Sequence, residues 1–361
     1  MNGYVRVKQL RGQARAPWLF CAAIIAALLG PLTLGQAAGA SAQTPSGGAA
    51  AEVTSRPIVF QMQWCPQAQF AGYMMALEKG FFAKEGLTNV QIRWSVAGER
   101  TFDRLAEGSS DYCTGWLADA LVERDRGMRL VQLAQVVQQS SLMLVAWRRS
   151  GIERPRDLTG KRVGLWGGNF DVQATAFFRK YGVRPILVPE STSMVPFLRG
   201  AVDAASAMYY NEYHKLIEAG VRPEELRTFR FADYDLVFPE DGIYCTDNKR
   251  RERPGECAAL VKASREGWDY ALANEAETLD VVMQHCRAAN VRTNRNHQRW
   301  MLRSIRDAIR WHPRQQAVPW GTLSQDVYDE VAGLLAGQGL IRRSPPFHEF
   351  CQPPAAGGTQ E

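Results

Sequence analysis

From Arg56 onward, short apolar runs alternate with amphipathic stretches, and this rhythm restricts the fold more than any single motif. Segments 58–63, 90–94, 111–114, 130–137 and 142–147 read as strands, while 70–82, 102–107 and 117–124 carry helical spacing. Such β-α-β alternation predicts a parallel sheet covered by helices on both faces, with ligands at the carboxyl ends of its strands. A second unit of the same kind begins after Gly151, with strands at 162–166, 186–188 and 204–208 and helices at 171–181, 194–199 and 212–219. Strand-like 228–231 and 242–245 lead the chain back towards the first unit. Beyond Cys257 the pattern turns helical, at 256–273, 275–288 and 297–311, with a last helix at 325–337 after Pro313 and Pro319. The expected fold is α/β with two lobes. Residues 56–148 and 240–345 form lobe one with its C-terminal helices, 149–239 form lobe two, and 346–361 form a flexible tail. The crossovers fall near 148–152 and 235–242. A ligand cleft between lobes that close on a hinge is the expected working geometry.

The N-terminus adds an address. Arg6, Lys8, Arg11 and Arg15 precede an apolar stretch, 18–29, and small residues ending in Ala40-Ser41-Ala42. A basic start, a short apolar middle and an A-x-A ending predict a signal peptide, 1–42, cleaved near Ala42. The apolar stretch is shorter than the about 20 residues a membrane-spanning helix needs. Residues 43–55 are small and polar and read as a disordered leader. Removing 1–42 leaves 39 basic against 37 acidic residues, a balance that gives no electrostatic reason to expect nucleic acid. The mature chain is expected in the periplasm as a monomer.

Catalytic signatures are missing from the sequence. The histidines show no H-E-x-x-H spacing, and there is neither a G-x-S-x-G elbow nor a P-loop. None of Cys65, Cys113, Cys245, Cys257, Cys286 and Cys351 forms a C-x-x-C pair, so no zinc ribbon is expected. Disulfides are permitted by the compartment, but their pairing is not legible, and Cys65 and Cys113 read as buried thiols. No cofactor and no metal are expected.

Three strand-to-helix junctions carry the chemistry. In Gln63-Trp64-Cys65-Pro66-Gln67, an aromatic ahead of a proline makes a rigid flat wall, although Trp64 could equally fill the lobe core. In Trp166-Gly167-Gly168-Asn169, paired glycines let the backbone approach a ligand, or simply make a left-handed turn. In Tyr209-Tyr210-Asn211-Glu212-Tyr213, phenol faces surround a carboxylate that can accept from an amine or ring N–H. Glu212 could also merely begin a helix, where the dipole favours an acid. The candidate ligand-binding set is Trp64, Gln67, Trp116, Gly167, Gly168, Asn169, Tyr210 and Glu212. An anion site on Arg100 and the Gly167-Gly168 amides is the competing arrangement.

The run QWCPQAQFAGYMMALEKGFFAKEGL, with DLTGKRVGLWGGNF, VDAASAMYYNEY and DGIYCT, resembles periplasmic binding proteins of the thiamine-pyrimidine precursor family, over residues 56–345. That family includes fungal pyrimidine synthases, with taurine and nitrate binders as more distant relatives. The resemblance implies a type II periplasmic-binding-protein fold and a pyrimidine stacked between Trp64 and Tyr210, with Glu212 accepting from its amine. It implies delivery of a small heteroaromatic ligand to the permease and ATPase of an ABC importer. The synthases use a histidine within the segment matching WCPQAQF, where this chain carries Phe70, and a cysteine-rich iron motif not found here. Binding without catalysis is therefore the expectation. A synthase-like enzyme of thiamine biosynthesis and a riboflavin or sulfonate binder are the alternatives.

Overall fold

The computed structural model describes residues 56–96, 98–310 and 319–354, so the expected signal peptide and leader lie outside the described residues. Ten strands among the described residues form two five-stranded sheets. They are β1 (Ile58–Met62), β2 (Val90–Trp94), β3 (Tyr112–Gly115), β4 (Leu130–Gln135), β5 (Leu142–Trp147), β6 (Arg162–Leu165), β7 (Ile186–Pro189), β8 (Ala204–Met208), β9 (Leu226–Arg230) and β10 (Gly242–Thr246). The first sheet runs β2-β1-β3-β10-β4 and the second β7-β6-β8-β5-β9. In each, three parallel strands (β2, β1, β3; β7, β6, β8) are joined by an antiparallel fourth.

The fourth strand of each sheet is where the sequence reading needs correction. Leu142–Trp147 falls within the range expected for lobe one, but β5 pairs with β8 and β9 in the second sheet. The first crossing therefore lies at 136–141, not near 148–152. Both β4 and β5 are buried along their full length. A continuous apolar run reports burial on both faces and says nothing about which sheet provides it. The return crossing falls at 231–241, close to the expected place, because β10 re-enters the first sheet between β3 and β4.

Two further expectations are corrected, the flexible tail and the start of one C-terminal helix. The expected flexible tail is docked as far as the described residues reach. Phe350 is fully buried, Cys351 bridges to Gln132, and Tyr328 lies 5.3 Å from the Phe350 ring. All six cysteines described are free thiols. The expected helix at 297–311 begins earlier, as Arg295–Arg310.

Close helix packing fixes lobe one. The helix Ala71–Glu78 crosses Pro254–Ala273 at Gly72 and Gly267. A Cβ on Gly267 would stand 2.1 Å from the Gly72 carbonyl oxygen, so only glycine admits this approach. No helix among the described residues is long and apolar enough to cross a membrane.

Candidate functional site

The carboxyl ends of the parallel strands carry the polar and aromatic residues of interest, as the strand order predicts. In lobe one, β1 runs into Gln63 and Trp64, and β3 into Trp116. The Gln63 amide N–H donates to Thr114 Oγ1 at 3.0 Å, tying the end of β1 to that of β3. Asp241, on the return crossing just before β10, sits between these ends. Gln69 Nε2 donates to its two oxygens at 3.1 and 2.9 Å, and Gln63 Nε2 donates to one of them. Gln67 Nε2 donates to Gln69 Oε1 at 2.6 Å and so orients the glutamine that holds Asp241.

In lobe two, β6 runs into Trp166 and Gly167, β7 into Glu190, and β8 into the segment from Tyr209 to Glu212. Glu212 begins the helix Glu212–Glu218, where the dipole favours an acid, yet the residue is 1% exposed and its side chain turns back into the protein. Oε2 accepts from the Met208 N–H at 3.1 Å, Oε1 accepts from Asn211 Nδ2 at 2.7 Å, and Lys215 Nζ lies 3.6 Å away. Glu190 is different. Both of its carboxylate oxygens are shut off from solvent and have no hydrogen-bond partner, as does the Trp166 indole N–H.

The electrostatics follow from this burial. Desolvation raises Glu212 above the ordinary carboxylate range. Desolvation, and then the charge of Glu212, push Glu190 up to about 7. Glu240 and Asp241, adjacent and fully buried, are both raised by desolvation, and Glu240 further by its neighbour's charge. The Tyr210 phenol is raised by burial and by Glu240, Asp241 and Glu212, which places it among the acids of both segments.

Not every expected residue joins this group. Tyr210 and Glu212 do. Trp64 is half-buried and packs against the main core cluster, so the two readings open at this position are compatible. Tyr209 and Tyr213 stack on each other at 5.3 Å and pack on Trp300, away from the carboxylate they were expected to surround. Gly167 and Gly168 both have left-handed φ, and the Gly167 N–H donates to Asp171 Oδ1 at 2.9 Å. That amide is committed to its own turn. Asn169 lies in the short turn Gly168–Phe170. Arg100 pairs with Glu123 and Asp103, so the competing anion arrangement has its guanidinium and its Gly167 amide already engaged. Phe70 is fully buried, 5.8 Å from Trp94.

Sequence reasoning missed Gln69, Phe170, Glu190, Glu240 and Asp241, and it singled out the segment of Gln63 without naming that residue as a candidate. Phe170 is 40% exposed and sits edge-on to Trp116 of lobe one at 4.9 Å and to Trp166 of lobe two at 5.7 Å. It bridges the two lobes. Glu190 carried a usable signal, an acid directly after a strand of the parallel set.

Comparisons with known proteins show the family and the fold. A family model described as NMT1/THI5 like matches residues 67–278, more than half of the chain. A formylaminopyrimidine-binding protein of Halalkalibacterium halodurans is 24% identical over 239 residues, covering 63% of this chain and 70% of the relative. The riboflavin-binding protein RibY of Chloroflexus aurantiacus is 24% identical over 260 residues, covering 68% and 71%. Among solved structures, the periplasmic aliphatic sulphonate binding protein SsuA of Escherichia coli superposes with a TM-score of 0.63 at 14% identity, covering 85% of this chain and 96% of SsuA. The desulfurization enzyme DSZB also superposes, with a TM-score of 0.56 at 16% identity, covering 82% and 97%. The fold is thus that of periplasmic binding proteins, and it is shared with an enzyme, so function has to be argued from the site.

Proposed function

Because the chain belongs to the NMT1/THI5-like family, we propose that it is the exported solute-binding component of an ABC importer and that it captures a flat, nitrogen-rich heterocycle. The observation that carries this reading is the pair Glu190 and Glu212. Two carboxylates follow parallel strands of lobe two, one of them with no partner of its own. Amine and ring N–H groups are the natural donors to such acceptors. Trp64 and Tyr210 supply the stacking faces, and Glu240 and Asp241 extend the acidic character to the crossing between the lobes. Among the described residues the cation placed against this cluster is Lys215, already 3.6 Å from Glu212. A sulfonate would meet like charge here, which costs affinity instead of adding to it. The similarity to a formylaminopyrimidine binder and a riboflavin binder supports the same ligand class.

Closing the lobes removes water from the acids, so a bound N–H is held more strongly than in solvent. The Phe170 bridge between Trp116 and Trp166 covers the closed arrangement. In this reading the closed form is what the permease and its ATPase recognise. Calorimetry of the mature protein with an aminopyrimidine, riboflavin and an alkanesulfonate separates the ligand classes. Binding of a heterocycle is expected; binding of the sulfonate alone, or of none of the three, overturns the proposal.

A further inference from the structure

The helix Glu212–Glu218 starts at the candidate site, and its later turns meet Arg295–Arg310. The second helix belongs with lobe one, since Gln298 Oε1 accepts from the Ala68 N–H at 2.7 Å. At the contact, His214 Nδ1 and His297 Nδ1 are 2.9 Å apart. Glu218 brings one oxygen to 3.6 Å from His297 Nδ1 and the other to 4.0 Å from His214 Nδ1. Two ligands on one tetrahedral zinc ion, bound at about 2.0–2.1 Å, stand about 3.3 Å apart. With one ligand atom taken from each residue, the three lie within 4.8 Å of one another, so small side-chain shifts bring them to that spacing.

We propose that His214, Glu218 and His297 form a site for a divalent first-row metal ion of the zinc type, tying the two lobes together. The surroundings are those of a metal-ligating histidine. His297 Nε2 faces Asn211 Oδ1 at 3.0 Å, and Asn211 Nδ2 donates to Glu212 Oε1 at 2.7 Å. Because its nitrogen is engaged by the carboxylate, Asn211 turns its oxygen to the imidazole. His297 Nε2 therefore carries the hydrogen, and Nδ1 presents its lone pair to the cluster. Asn294 Nδ2 donates to Glu218 Oε1 at 2.8 Å and leaves Oε2 towards His297. The His214 ring is stacked on Trp300 at 4.8 Å and 20°, which holds its orientation. Glu218 lies at the solvent boundary, so water can complete the coordination. A simple N–H···N bond between the rings would use neither the carboxylate nor its orienting asparagine. The chain His297–Asn211–Glu212 also connects the metal position to the heterocycle-binding carboxylate, so an ion here would favour the closed lobes.

The test needs no organic ligand and is independent of the proposed function. Tag-free mature protein is stripped with a chelator, incubated with Zn²⁺, desalted and counted by inductively coupled plasma mass spectrometry. A parallel sample takes Co²⁺ for visible spectroscopy. One zinc per chain is expected, with the visible bands of four-coordinate cobalt. His297→Ala and His214→Gln abolish both signals, and Glu218→Gln weakens zinc retention at least tenfold. His297 is buried and its replacement could disturb folding, whereas His214 is partly exposed, so His214→Gln decides the matter if its melting temperature in chelator matches the parent. No retained zinc, or an unchanged zinc count in a folded His214→Gln variant, overturns the site.

Discussion

Glu190 lays its carboxylate against the backbone of Gly164, so closely that a Cβ on Gly164 would stand 2.2 Å from Oε2. The glycine of β6 thereby makes room for an acid that follows β7, and neither residue alone reveals this. Gly164→Ala displaces the carboxylate, which sits at the far end of a flexible side chain and can move at little cost to packing. We expect a melting temperature within about 2 °C of the parent, together with a loss of heterocycle affinity measured by calorimetry. A large drop in stability with unchanged affinity would place Glu190 outside the site.

The same carboxylate makes stability depend on pH. Glu190 is raised to about 7 in the folded protein from an ordinary value of 4.5. Between these values the folded state holds a proton that the unfolded state releases. Its contribution is therefore complete below pH 4.5 and is lost as pH rises through 7. Glu190→Gln removes the penalty. Partial exposure of the residue weakens the effect, so we expect the variant to melt about 1–2 °C higher than the parent at pH 8 and to match it near pH 5. Paired thermal scans across that range check the sign; a variant that gains stability only at low pH contradicts it.

Gly267 tests the helix crossing that supports lobe one. Its added Cβ would meet backbone oxygen, which cannot swing aside as a side chain can. Gly267→Ala should cost about 3 kcal/mol or more by overpacking, read from urea unfolding. Gly255, in the same helix with open space around it, is the control whose alanine variant should be close to neutral.

The C-terminal segment gives a fourth prediction. Phe350 is buried against Tyr328 and Tyr244, at ring distances of 5.3 and 6.2 Å. Phe350→Ala should destabilise by about 3–5 kcal/mol, measured by urea unfolding. A freely moving tail would give no change.

The comparison of sequence with structure has a physical pattern. Period and turn residues located nearly every strand, because β-α-β spacing is a local signal. They could not place β5, since its fully apolar run is compatible with the interior of either sheet. The terminal stretch carries only two phenylalanines, and Phe350 becomes core through the facing Tyr328 and Tyr244 rings, while Phe347 packs half-buried on Tyr328. In the site, Tyr210 and Glu212 were legible because they share one segment. Asp241 was not, because its partners Gln63 and Gln69 lie 178 and 172 residues away in sequence. Tyr209 and Tyr213 were overcounted because a run of tyrosines does not state which face of the helix each one takes.

The central claim is that buried acids of lobe two hold the N–H groups of a flat ligand. Its most direct test is calorimetric titration of the parent, Glu212→Gln and Glu190→Gln with the tightest heterocycle found for the parent. Each replacement should weaken binding by about 1–3 kcal/mol, the cost of a lost charge-assisted hydrogen bond, while the parent's fold is retained. Unchanged affinity in both variants, or tighter binding of an alkanesulfonate by either variant together with strong sulfonate binding by the parent, would contradict the account.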